Sequence, residues 1–207
     1  MNNLPTVTKN LLIINVLCFF GMFVARKYGV DIENMLGLHF FLASDFNLGQ
    51  LITYMFMHAG VLHILFNMLW LFWFGRLFLA FFSSKHLRGL YFLGGICGGL
   101  LYMLAYNVFP YFQDAVYSSY LLGASASVLA IVVAVSVREP NYPVQFLFIG
   151  TVRLKYVALF MVALDLLFMT SENAGGHIAH LGGALAGWWF AAGLQSGHDA
   201  TKWINLV

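Results

Sequence analysis

Residues 51–75, LITYMFMHAGVLHILFNMLWLFWFG, run without a single Asp, Glu, Lys or Arg. A stretch of that length suits a helix crossing the ~30 Å hydrocarbon core of a bilayer at about 1.5 Å per residue. In hydrocarbon every backbone N–H and C=O must be bonded within the spanning structure, so few folds are open to such a chain. Five more apolar runs cover roughly residues 11–25, 89–106, 121–137, 154–169 and 177–194. Composition agrees: 61% of residues are hydrophobic and 9% charged, with a mean hydropathy of +0.83, whereas a soluble domain carries about 25% charge. The expectation is an all-α membrane protein, a single bundle of six transmembrane helices. Only Lys9 precedes the first run, and no small-x-small cleavage site follows it, so that run reads as a retained helix rather than a signal peptide.

Charge orients the bundle. With the N-terminus inside, the inner segments hold Lys9, Arg76, Lys85, Arg88, Arg138, Arg153, Lys155 and Lys202, and the outer loops hold only Arg26 and Lys27. The positive-inside rule then makes both termini cytoplasmic. The expected organisation is a cytoplasmic N-terminus at 1–10, a six-helix domain at 11–195 and a cytoplasmic tail at 196–207. The outer loops 108–120 and 170–176 carry Asp114 and Glu172 but no Lys or Arg. The first outer loop, 26–50, mixes Met35, Leu36, Leu38, Phe40, Phe41 and Leu42 with Asp31, Glu33 and Asp45, which suggests a segment lying in the outer interface. A net charge of +2 gives no reason to expect nucleic acid. Cys18 and Cys97 lie in apolar runs and suggest neither a disulfide nor a metal cluster.

Polar groups in hydrocarbon are costly, so each needs a reason. In the second predicted helix His58, His63 and Asn67 are spaced H-x4-H-x3-N. At 100° per residue His63 and Asn67 share a face, while His58 points elsewhere or precedes the regular helix. In the sixth, His177 and His180 are three apart, and Gly183 and Gly187 form a small-xxx-small face that admits another backbone. Packing histidines and an interhelical asparagine would account for either helix taken alone. Heights add a second consideration. Arg76 lies 13 residues from His63, and Arg138 lies 13 residues from Ser125; both spacings put the polar group roughly 20 Å above the inner face. Gln195 lies 15 residues from His180, or roughly 22 Å. Three helices thus bring a hydroxyl and two imidazoles to one level. A serine hydroxyl becomes a nucleophile when a base accepts its proton. The oxyanion it forms needs fixed donors, which His63, Asn67 and a backbone N–H near the start of the fourth helix can supply.

These residues resemble the rhomboid family of intramembrane serine proteases. The resemblance spans the six predicted helices and rests on H-x4-H-x3-N at His58, His63 and Asn67, on G-x-S at residues 123–125, on A-H-x-x-G at 179–183, and on Gly183-x3-Gly187. It implies a Ser125–His180 dyad without a buried acid, oxyanion support from His63 and Asn67, a structural or water-binding His58, and close packing at Gly183 and Gly187. It selects Ser125 over Ser127, which lies about 200° around the helix, and His180 over His177. It implies transmembrane proteins as substrates, cut near the outer end of their spans within a lipid bilayer; a short chain without a targeting extension suits a multi-pass protein of a bacterial plasma membrane. It implies no metal and no nucleotide cofactor. Three positions depart from the family pattern: Gly49-Gln50 stands where many relatives have Trp-Arg, Leu129 where many have an aromatic stacked on the histidine, and Ala126 where Gly is frequent. Asp165 lies outside the resemblance. Ten residues from Lys155 place it roughly 15 Å up, as a buried structural acid in the preferred reading and as a partner orienting His177 or His180 in the other. Alternative functions are a catalytically inactive rhomboid-like escort for membrane segments and, less favoured, a small transporter built on His58, His63, His177 and Asp165. Paired inverted repeats would mark the transporter, and the sequence holds none.

Overall fold

The computed structural model describes residues 4–170 and 173–206; Glu172 lies outside the described residues. Helices α1 (Thr6–Lys27), α2 (Ile32–Leu36), α3 (Gln50–Thr53), α4 (Val61–Phe78), α5 (Ser84–Val108), α6 (Ser125–Arg138), α7 (Leu154–Leu167) and α8 (Ala174–Gln195) form the body. Strands β1 (Leu38–His39) and β2 (Tyr120–Leu121) pair antiparallel, as do β3 (Pro143–Phe146) and β4 (Gly150–Arg153). The purely helical expectation is corrected by these two short pairings. By length and composition α1, α4 and α5 can cross a membrane, and α6 is a shorter apolar helix.

The expected second helix is broken. Its first part is α3 followed by a 3₁₀ turn over Tyr54–Phe56. Met57 and Gly60 are then extended, with φ/ψ of −92°/137° and −169°/173°, and α4 starts only at Val61. His58 therefore stands before the helix, the second of the two placements its spacing allowed. Hydropathy could not reveal the break, since no charged residue marks it.

Helix α6 is the hub. Residues 126–136 are all buried, as expected of a helix apolar on every side, and α4, α5, α7 and α8 pack around it. Small residues make this possible. A Cβ at Gly98 of α5 would lie 2.7 Å from the Ala126 methyl, and one at Gly182 of α8 would lie 2.5 Å from the Cys97 carbonyl oxygen. Added carbons at Gly183 and Gly187 would overlap the carbonyl oxygens of Ala126 and Ala130. Helix α8 thus rests directly on the backbone of α6. In contrast, only Leu154, Val157, Ala158 and Asp165 of α7 are buried, so that helix is held along one thin strip.

The first outer loop is tied down at Gln50. This fully buried amide donates to the carbonyls of Met35 (3.1 Å) and Asp45 (2.8 Å), and its oxygen accepts from the N–H groups of His39 (3.3 Å) and Asn47 (3.4 Å). Leu38 and Phe40 are buried while Met35, Phe41 and Leu42 are exposed, so the loop is anchored inward as well as apolar outward. Gln50→Ala strands several buried backbone groups, each costing about 1–3 kcal/mol. A clear fall in melting temperature in detergent is expected, with faster proteolysis between residues 28 and 50. Wild-type values for both would contradict the anchoring role.

Candidate active site

Ser125 is the first residue of α6. The chain enters through Gly123, whose φ of +118° disfavours a side chain, and Ala124 caps the helix at φ −77° and ψ −4°. Two bonds fix this entry: the Gly123 N–H donates to the Tyr54 carbonyl at 2.9 Å, and the Ala124 N–H makes a long 3.5 Å contact with His58 Nε2. The buried His58 thus braces the backbone ahead of the serine and is stacked edge-on against His63, with ring centroids 5.1 Å apart. The turn continues into α6, whose first N–H groups have no acceptor within the helix and carry the positive end of its dipole.

Ser125 Oγ lies 2.6 Å from His180 Nε2 on α8. The motif-favoured serine and histidine are therefore adjacent. His177, one turn earlier, meets the His180 ring edge-on at 5.9 Å. Ser127 is fully buried, and its Cα faces Gly94 of α5. His63 lies against Gly123: a Cβ there would be 2.8 Å from His63 Nε2 and 3.7 Å from Ser125 Oγ. The missing side chain leaves a small space bounded by the imidazole and the hydroxyl, open to the start of α6. Asn67 donates from Nδ2 to the His63 carbonyl at 2.9 Å, within its own helix. Gly183 and Gly187 follow His180 along the same face of α8, against Ala126 and Ala130 of α6.

Two cavities meet at Ser125 and His180. One, of about 660 Å³, is walled by Tyr102, Tyr106, Ser118, Ser119, Tyr120, Asn173 and Gly175 and also reaches His63. The other, of about 290 Å³, is apolar, bordered by Leu62, Phe66, Asn67 and Trp70 of α4, Val128 and Leu129 of α6, and Met161 of α7. Leu129 is therefore part of a cavity wall rather than a cover for the histidine ring.

On its far side His180 meets an acid, where the resemblance implied none. Asp165 Oδ1 of α7 lies 2.8 Å from His180 Nδ1 and 2.8 Å from His177 Nδ1. The three donor atoms lie within 4.8 Å of one another, close enough to hold a metal ion, but their spacing as drawn is that of hydrogen bonds shared by one oxygen. Sequence reasoning named Asp165 from a usable signal, a lone acid among apolar residues. It marked Gln50 only as part of a departure from the family pattern, with no signal for its four backbone partners, and it had none for the tyrosine walls.

A family model described as a rhomboid domain matches residues 45–196. The chain belongs to the rhomboid family. Among curated rhomboid relatives, the "Rhomboid protease GlpG" of Haemophilus influenzae is 27% identical over 189 residues, covering 90% of this chain and 91% of the relative. The mitochondrial "RHOMBOID-like protein 12" of Arabidopsis thaliana is 28% identical over 175 residues, or 80% of this chain. The chain spans about half the length of that plant relative, matching 50% of it. The apolar helices make this rhomboid a multi-pass membrane protein.

Proposed function

We propose that this rhomboid is an intramembrane serine endopeptidase that hydrolyses peptide bonds of transmembrane proteins near the outer side of the bilayer. The observation that carries the reading is the 2.6 Å approach of His180 Nε2 to Ser125 Oγ beside the space left by Gly123. In this reading α1 and α4–α8 are six spans with both termini cytoplasmic, residues 11–195 are the protease domain, and 1–10 and 196–207 flank it inside the cell. The near full-length similarity to the Haemophilus protease favours a bacterial plasma membrane. A 14-residue α6 covers only ~21 Å, so its serine end would lie beneath the membrane surface.

The reaction starts as an unwound substrate segment reaches Ser125 from the side of the apolar cavity. Oγ attacks the carbonyl carbon while Nε2 of His180 takes the hydroxyl proton. The negative oxygen of the tetrahedral intermediate turns toward the Gly123 space, where His63, Asn67 and the first N–H groups of α6 stabilise it. His180 returns the proton to the departing amine, leaving an ester on Ser125. Water from the larger cavity attacks that ester, His180 again takes a proton, and the serine is restored. No step calls for a metal or nucleotide.

Purified protein incubated with a test transmembrane substrate should produce two fragments, and Ser125→Ala should produce none. Equal cleavage by both would remove Ser125 from the mechanism, and no cleavage by the wild type would favour the inactive escort. His63→Ala is expected to lower turnover by about 10² to 10³ with the fold intact, the usual effect of losing one oxyanion donor. Asn67→Ala should cost less, because its amide already donates to a backbone carbonyl. Unchanged turnover in both variants and in the double variant would reject the oxyanion assignment.

A further inference from the structure

We infer that Asp165 is a positioning residue for catalysis, the third member of a Ser125–His180–Asp165 relay. This rests on the proposed roles of Ser125 and His180. The three residues come from three helices, α6, α8 and α7, and are ordered in space as hydroxyl, imidazole and carboxylate. The imidazole bridges the other two through its opposite nitrogens, at 2.6 Å to Ser125 and 2.8 Å to Asp165. A carboxylate only accepts hydrogen bonds. Bonding to Asp165 therefore keeps a proton on Nδ1 of His180 and leaves Nε2 free to accept from Ser125. As Nε2 takes the serine proton, the ring gains a positive charge, and the buried carboxylate lies against it.

Two further features fit this role. Leu129 provides no aromatic face to hold the ring, so a hydrogen bond must fix its orientation. The second bond to the same oxygen, from His177 at 2.8 Å, adds a further tie between the thinly packed α7 and α8 beside the His180 bond. A purely structural acid, one that merely pins α7 to α8, would need only one of the two histidines.

The test uses the full chain in detergent, a test transmembrane substrate, and thermal unfolding alongside. Asp165→Asn should lower kcat at least about 100-fold with KM within about twofold and the melting temperature close to wild type. Asp165→Glu should recover part of that loss by restoring a carboxylate. His177→Ala should leave most turnover in place, because the His180 bond survives. A chelator should leave turnover unchanged, since the three groups bind one another rather than an ion. A wild-type kcat in Asp165→Asn would overturn the inference and leave the serine mechanism standing. A loss that tracks melting temperature, with no recovery in Asp165→Glu, would overturn it in favour of a structural pin. Loss of turnover on chelation would overturn it in favour of a metal. An inactive wild type would sink this inference together with the reading beneath it.

Discussion

A fluorophosphonate probe is expected to label Ser125 and leave Ser127 unmodified. The reagent reacts with a hydroxyl whose proton has an acceptor in hydrogen-bond reach. Ser125 has one, His180 Nε2 at 2.6 Å, and it borders both cavities. Ser127 is fully buried where α6 meets Gly94 of α5, so the probe could reach it only after the bundle opened. Labelling should vanish in Ser125→Ala and persist in Ser127→Ala. It should fall by orders of magnitude in His180→Ala, the size of effect expected when a general base is lost. His177→Ala should retain most of it, because His177 touches Asp165 rather than the serine. Mass spectrometry of the modified peptide locates the adduct. An adduct on Ser127 would reverse the nucleophile assignment, and undiminished labelling in His180→Ala would remove the base.

The second large effect is expected at the seam between α6 and α8. Gly183→Val and Gly187→Val should each prevent recovery of folded protein or lower its melting temperature severely. Even one added carbon overlaps the carbonyl oxygen of Ala126 or Ala130, and a backbone group cannot swing away as a side chain can. Ordinary overpacking costs about 1–3 kcal/mol; here α8 must move as a unit, and His180 moves with it. Gly21 is a useful control, since nothing lies within 4 Å of an added Cβ there. Gly21→Ala should unfold like the wild type. Normal stability in both valine variants would mean that the two helices are further apart than described.

Much of the fold was legible because hydrocarbon leaves a chain little freedom. Apolar runs marked the six long helices to within a few residues at most ends. The exception was the run at 51–75. Helix α4 begins ten residues later than that run because the chain leaves helical geometry after the 3₁₀ turn at Phe56 and regains it only at Val61, with Met57 and Gly60 extended, and hydropathy does not distinguish such an interruption from a continuous helix. The inward anchoring of the first outer loop was likewise hidden. Gln50 stands where the family pattern has a different residue, and its four partners are backbone groups. Nothing in the identity of a glutamine announces which carbonyls it will meet.

The candidate site divides along the same line. Helical period and residue type, read with the family pattern, were enough to favour Ser125 over Ser127, to favour His180 over His177, and to put His63 and Asn67 on one face. The two choices rest on the resemblance, while the shared face of His63 and Asn67 and the turned-away position of Ser127 are local, set by 100° per residue along one helix. The sequence also singled out Asp165 as an acid with no neighbour to explain it. What that acid does is a question of distance between α7 and α8, and only their packing brought one carboxylate oxygen to 2.8 Å from two imidazoles. The same holds for the space at Gly123. The sequence supplies a glycine, but the tertiary structure gives it a φ of +118° and sets His63 and Ser125 on either side of the missing side chain. Spacing along a helix determines which groups can face together; the contacts between helices decide which of them meet.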